Sequence, residues 1–265
     1  MSGPRSGDRL GQLVAALAPH VDNVVAYHSV DSTHRAALRI LVQTEDEELP
    51  LAPTAVVALR QSAGVGRGDR RWISPEGGLF LDWTRSGIRT EVVQHLPMLA
   101  GAAAHLALTR LEAPGLGLKW PNDILADGRK LAGVVVHVRH GSRLAVAVGL
   151  GVNLALAPTL DDDSAQPAAA LAELLPPPSG DPFADWAPGL AADFVARLAA
   201  ALEDPEPAIS HWRRVMIHRP GETMRVRLSS GVGLEGRFLG FTREGFLRLE
   251  LAEGERTISG GDVLG

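Results

Sequence analysis

Lys119-Trp120-Pro121-Asn122-Asp123-Ile124-Leu125, followed at once by Gly128-Arg129-Lys130-Leu131-Ala132-Gly133-Val134-Val135-Val136, is the stretch around which the chain is organised. Leu116, Leu118 and Trp120 alternate with Gly117 and Lys119, which predicts a short strand. Pro121 ends regular pairing because it has no N–H to donate. Asn122 and Asp123 are turn formers whose side chains hold either their own backbone or a ligand. Asp127-Gly128 predicts a tight hairpin turn, and Leu131 to Val138 the returning strand. Two lysines, an amide and a carboxylate thus gather around one hairpin. Cations so constrained suit a phosphate or carboxylate better than they suit a freely solvated surface.

Outward from the hairpin, Gly149-Leu150-Gly151-Val152-Asn153 closes a strand that begins near Arg143. Its glycines permit close approach, and the Asn153 amide serves either a ligand edge or an ordinary turn. Upstream, the apolar strand Thr54–Arg60 delivers Gln61-Ser62-Ala63-Gly64-Val65-Gly66-Arg67-Gly68-Asp69-Arg70-Arg71-Trp72. Glycines at every second position let backbone approach a ligand, and Arg67, Arg70 and Arg71 add planar, permanently charged donors. The spacing matches neither a dinucleotide fingerprint nor a P-loop. Asp31-Ser32-Thr33 follows the strand Val21–Val30 and predicts a helix N-cap before Ala36 to Val42. An acidic loop is expected over 43–53, a strand over Gly77–Arg85 and a helix over 94–112. His137 and His140 stand three apart on one strand and point to opposite faces, so no metal site is expected there. Asp161-Asp162-Asp163 reads as a solvated loop.

Beyond an amphipathic helix Phe183–Glu203 and another at Pro207–Ile217, with His211, Arg213 and Arg214 expected on its wet face, the texture changes at Arg219-Pro220-Gly221. Short strands with Gly turns then predict a small β-barrel docked on the main domain. The expected organisation is a flexible N-terminus at 1–20, a main α+β domain at 21–218 and a small β-domain at 219–265.

Composition narrows the function. The chain has 265 residues, 45% hydrophobic and 22% charged, enough for a sizeable core. A net charge of −5 argues against a general grip on nucleic acid. The absence of cysteine excludes disulfides, thiol catalysis and cysteine metal sites. No apolar run reaches membrane-span length, and the first twenty residues carry neither a secretion signal nor room for a DNA-binding helix-turn-helix. A cytoplasmic protein with no DNA and no membrane partner is expected.

Taken in order, Asp31-Ser32-Thr33, the loop Gln61–Trp72, Lys119–Asp123, Lys130–Gly133, Gly149–Asn153 and the terminal module ending in Gly261-Asp262-Val263 resemble the biotin protein ligases. The resemblance implies a class II synthetase-like mixed sheet with helices, followed by an SH3-like barrel. It implies ATP-dependent formation of biotinyl-5′-AMP and transfer of biotin to a lysine of a carboxylase's biotin carboxyl carrier domain, with Mg²⁺ accompanying ATP. By the same resemblance Lys119 and Arg67 are the catalytic residues. Ser32, Thr33, Gln61, Gly64, Gly66, Arg67, Lys119 and Gly133 bind biotin, and Arg67, Arg70, Trp72, Asn122, Lys130 and Asn153 bind ATP. No metal-ligating residue is implied. Four positions depart from the family's usual pattern: Val65 stands for an Arg, Asp69 for a Gly, His34 for an Asn and His137 for a Glu. Two further readings therefore stand beside an active biotin ligase. One is a ligase for lipoate or another acyl acid, and the other is a non-catalytic binder of biotin or nucleotide.

Overall fold

The computed structural model describes residues 6–68, 70–159 and 166–264. Asp69 and Asp161-Asp162-Asp163 lie outside the described residues. The organising stretch forms a three-stranded meander: β4 (Leu116–Lys119), β5 (Asp123–Ala126) and β6 (Arg129–Arg139). Asp127 and Gly128 both have positive φ, 45° and 73°, the geometry a two-residue turn between twisted strands requires. The Trp120–Pro121 bond, which is cis, joins β4 to β5. β1 (Asn23–Tyr27), β2 (Thr54–Ala58), β3 (Leu79–Ser86) and β7 (Ala145–Val152) complete a seven-stranded sheet of order β1-β2-β3-β7-β6-β5-β4. Only β1 and β2 run parallel, so the sheet is mixed.

Alternation on β3 explains how the sheet presents two different faces. Leu79, Leu81 and Trp83 point into the larger apolar core, among residues of α1 (Ser6–Leu17), α4 (Leu96–Thr109), α6 (Pro182–Glu203) and α7 (Glu206–Val215). Phe80, Asp82 and Thr84 point the other way. That face is covered at one end by α2 (Thr33–Asp46), through Ala36, Ala37 and Leu41 against Val56 and Ala147. Toward β6 it lies under the loop 61–72 and forms a cleft. Two short helices, α3 (Thr90–Val93) and α5 (Leu171–Leu174), complete this part of the chain.

Three expectations need correction. The N-terminal segment, expected to be flexible apart from one short helix, forms that helix over Ser6–Leu17 and docks it: Leu13 and Leu17 are fully buried, and Arg9 pairs with Asp181 at 2.9 Å. The Gly, Ser and Arg residues suggested fraying, but the Leu spacing supplies a face that α6 covers. The helix after Ser32 continues to Asp46 and takes in the start of the expected acidic loop. His211 is buried, not wet: its Nε2 lies 3.1 Å from His105 Nδ1, and Arg214 Nη2 lies 2.8 Å from His211 Nδ1.

The C-terminal region forms a separate antiparallel sheet of order β11-β10-β9-β8-β12. Its strands are β8 (Thr223–Arg227), β9 (Gly233–Phe241), β10 (Leu247–Leu251), β11 (Gly254–Ile258) and β12 (Asp262–Leu264). It docks tightly. Trp120 Nε1 donates to Gly245 O at 3.0 Å, Trp212 packs edge-on against Phe241, and Phe238 and Leu247 belong to the main core. His218, in the connection, accepts the Trp120 N–H at 3.0 Å.

That burial makes the fold acid-sensitive. Desolvation holds His211 and His218 at a pKa of about 4, His105 adding to the effect at His211 and Lys119 at His218. The unfolded chain, titrating near 6.5, binds more protons between pH 6.5 and 4, so stability falls as pH drops through that window. Each histidine contributes at most roughly 3 kcal/mol to this loss by pH 4. Calorimetric melting between pH 7 and 4.5 should show a steep fall in Tm, and His211→Gln should flatten it. A Tm constant across the window would show that neither histidine is neutral in the fold.

Candidate functional site

The cleft is floored by two paired glycines. Gly133 of β6 and Gly151 of β7 are register partners, and the Trp72 indole lies on both. A Cβ would stand 3.1 Å from Trp72 Cζ3 at Gly133 and 2.6 Å from Cε2 at Gly151. A side chain at Gly151 would force Trp72 to move, whereas one at Gly133 would press tightly on the ring. Trp72 Nε1 is buried against Gly151 and has no hydrogen-bond partner among the described residues. Lys130 Nζ sits 5.4 Å from the indole centroid and 2.7 Å from Asp123 Oδ1.

The opposite wall is built by the start of α2. Ser32 caps the helix, its hydroxyl oxygen accepting from His34 N and Arg35 N, and is 1% exposed. Thr33 N donates to Gln61 Oε1 at 2.8 Å, with Thr33 Oγ1 3.2 Å from the same oxygen. Gln61 Nε2 reaches Ser74 Oγ at 3.0 Å. Gly64 backs this corner, since a Cβ there would lie 2.5 Å from Trp72 O.

Cations converge on the rim. Arg67 Nη2 donates to Asp262 Oδ1 at 2.5 Å and to Gly261 O, and Arg70 Nη2 reaches the same carboxylate oxygen at 2.6 Å. The C-terminal sheet therefore anchors the arginine loop. Lys119 is 9% exposed and donates to Gln166 Oε1 at 2.6 Å. Burial lowers the pKa of its ammonium; Asp123 opposes this, Lys130 adds to it, and Asp262 and Arg70 contribute less.

Of the residues expected from sequence, Ser32, Thr33, Gln61, Gly66, Arg67, Arg70, Trp72, Asn122, Lys130 and Gly133 all line the cleft. Gly64, Lys119 and Asn153 do not. Asn122 is also fixed to β6, Nδ2 donating to Val134 O at 2.6 Å. Asn153 is a clamp in this structure: Nδ2 donates to Ala169 O at 3.0 Å, and its backbone carbonyl accepts from Leu171 N. Its Oδ1 is buried without a partner among the described residues. Sequence reasoning missed Gln166, which holds Lys119, and Asp82, which stands on the cleft wall beside His34. Asp82 gave little signal on its own, as one of several polar residues of β3, and only its place beside His34 sets it apart.

Arginine and lysine donors around a mixed polar and apolar, glycine-floored cleft give an α+β domain the donors to meet an anionic group. Models of two families match the chain: the biotin/lipoate A/B protein ligase family over residues 27–153 and the biotin protein ligase C-terminal domain over 221–264. The chain belongs to the biotin protein ligase family. A bifunctional ligase/repressor BirA from Salmonella typhimurium is 29% identical over 233 residues, 82% of this chain and 69% of that protein. A biotin–[acetyl-CoA-carboxylase] ligase from Paracoccus denitrificans is 38% identical over 127 residues, 43% of this chain and 52% of its own length. The chain thus spans between about half and two thirds of these relatives. The biotin protein ligase from Aquifex aeolicus, solved with biotin and ATP, superposes with a TM-score of 0.68 at 24% identity, covering 91% of this chain and 97% of that one. That likeness establishes the fold.

Proposed function

We propose that this chain is an ATP-dependent biotin protein ligase, with 21–218 as the catalytic domain and 219–265 as a module that anchors the arginine loop. The observation that carries this reading is the cleft itself. Ser32, Thr33 and Gln61 offer a polar corner for a compact ring, the Gly133–Gly151 floor takes its body, and Lys130, Arg67 and Arg70 line the cleft where the anionic end would lie, with Lys119 held behind them by Gln166.

In the first step a biotin carboxylate oxygen attacks the α-phosphorus of ATP. The bond from that phosphorus to the bridging oxygen breaks, and pyrophosphate leaves. Lys119 is released from Gln166 to sit between carboxylate and α-phosphate, where a partly desolvated cation stabilises charge strongly. Arg67 and Arg70, exchanging Asp262 for phosphate oxygens, hold the acyl-adenylate. In the second step a lysine amine of the carboxyl carrier domain attacks the acyl carbon. The C–N bond forms, the C–O bond to AMP breaks, and the amine proton passes to solvent. No group of three or more metal-ligating side chains occurs among the described residues. Magnesium would accompany the ATP phosphates as part of the substrate. No described helix is long and apolar enough to cross a membrane, and we place the reaction in the ATP-rich cytoplasm.

Incubation with ATP, Mg²⁺ and either biotin or lipoate, with mass detection of the acyl-adenylate, tests the reading. Biotinyl-AMP formation followed by transfer to a carrier domain is expected. Lipoyl-AMP alone, or no adenylate with either acid, would replace it with one of the two other readings.

Val65 lines the cleft where the family's pattern has an arginine. An arginine there adds one charge-assisted hydrogen bond to an anionic adenylate, worth roughly 1.5–3 kcal/mol. Val65→Arg should tighten a non-hydrolysable biotinyl-adenylate by about one to two decades in calorimetry. Unchanged affinity would mean that Arg67 and Arg70 already satisfy the ligand's charge.

A further inference from the structure

Next to the cleft lies a buried cluster that the reaction above leaves unused. Asp82 is 1% exposed, and its Oδ1 lies 3.0 Å from His34 Nδ1. The imidazole must present an N–H to a carboxylate, so His34 is the donor. Thr33 Oγ1, 3.2 Å from Gln61 Oε1, also favours the ionised form of Asp82, and its one proton serves one acceptor at a time. Asp82 and Gly149 are register partners. A Cβ at Gly149 would stand 2.7 Å from Asp82 Oδ2, so the carboxylate occupies the space that the glycine leaves. His137 approaches His34 edge-on at 6.4 Å.

A buried carboxylate is costly unless it is well bonded, and this one stands on the wall of the cleft. A carboxylate has about four acceptor positions. His34 and Thr33 use no more than two. The surrounding groups are mostly donors or already engaged: Ser32 oxygen accepts from the α2 backbone, and Gln61 Oε1 accepts from Thr33. Asp82 is thus the strongest acceptor facing the cleft.

We propose that Asp82, clamped by His34, is a specificity-determining residue that accepts a ring N–H of the bound acid and so selects a cyclic urea over a ring without N–H groups. This rests on the ligase reading and deepens it. Biotin's fused urea carries two N–H donors, while the dithiolane of lipoate carries none. A dithiolane in this cleft leaves a buried carboxylate facing sulfur, a mismatch far harsher than a change of shape. The bland alternative is that the pair merely fastens α2 to β3. That role predicts a change in stability with no change in ligand preference.

Asp82→Asn separates the two. His34 continues to donate to the amide oxygen, which turns the amide NH₂ toward the Oδ2 position and replaces an acceptor by a donor. Biotin affinity measured by calorimetry should fall by about 30- to 100-fold. KM for ATP should stay within about twofold, and the preference for biotin over lipoate should shrink by the same factor as the biotin affinity. Asp82→Ser, whose hydroxyl accepts as well as donates, should recover part of the loss, and it provides the reading if the Asn variant melts. Undiminished biotin binding by Asp82→Asn overturns the proposal. So does an equal loss for biotin and lipoate accompanied by a lower Tm. A parent chain that makes no biotinyl-AMP overturns the ligase reading and this proposal together. A parent that makes it, with unaltered variants, overturns this proposal alone.

Discussion

Replacing Lys119 by Ala is expected to lower biotinyl-adenylate formation by a factor on the order of 10²–10³, the usual loss when one preorganised donor leaves a water-poor site. The expectation rests on how this lysine is held. It ends β4 immediately before the Trp120–Pro121 turn, and that turn is fixed on three sides. Trp120 Nε1 holds Gly245 O, His218 holds the Trp120 N–H, and Asn122 holds β6. Its ammonium is also partly desolvated, which strengthens its attraction for a carboxylate and a phosphate together. Lys119→Arg should not restore activity, because a planar fork does not occupy the place of a compact ammonium beside Gln166. Melting temperature should change little in Lys119→Arg, since the charge is kept and the aliphatic stem remains buried. Single-turnover detection of the adenylate reads the effect directly. Near-normal adenylation by the Ala variant would remove Lys119 from the chemistry and leave Lys130 and Arg67 as the cations to examine.

How much of this was legible before the structure depends on the range of each interaction. The β5–β6 hairpin was readable because Asp127-Gly128 is a local signal, and Ser32 because capping is decided within three residues. The strand order was not readable. β3 pairs with β7 across some sixty residues of sequence, and alternation says which face a residue takes but not which strand lies beside it. The cleft residues Arg67, Trp72 and Gly133 could be named, but not what they touch here. Asp262 pins two arginines from nearly two hundred positions away, and Trp72 lies on Gly133 and Gly151, contacts that only the assembled sheet creates. Asp82 was passed over because one polar residue among several in a strand is ordinary. It becomes informative only when His34 is found against it. His211 was misread for a related reason: the basic Arg213 and Arg214 beside it suggested a wet face, and nothing local shows that His105 of α4 covers it. The docking of the C-terminal module was expected from its size, and the shared core makes it closer than size alone required. Phe241 packs on Trp212 and Gly245 O holds the Trp120 indole, so removing the module strips cover from the turn that holds Lys119.

The floor of the cleft supplies the other large effect. Gly151→Val is expected to weaken biotin or biotinyl-adenylate binding by about ten- to a hundredfold while leaving the sheet intact. Valine suits a strand, and β7 is paired on both sides, so the backbone has no reason to rearrange. The conflict is confined to the face toward Trp72. A Cβ at Gly151 stands 2.6 Å from Cε2, 2.8 Å from Cζ2 and 2.9 Å from Nε1 of the indole. The ring must leave its seat. It can swing into the space the ligand needs, or out toward solvent, where Lys130 loses the aromatic surface beneath its ammonium. Either movement spoils the cleft, the first by filling it and the second by loosening the loop that carries Arg67 and Arg70. Gly233→Val in β9 is the matched strand control, since nothing lies within 4 Å of a Cβ there. Tryptophan fluorescence should report the displaced indole in Gly151→Val even without ligand, and calorimetry should report the lost affinity. Full affinity in a variant whose indole has moved would show that Trp72 covers the glycines without shaping the ligand's seat. The binding energy would then have to come from the Ser32, Thr33 and Gln61 corner alone.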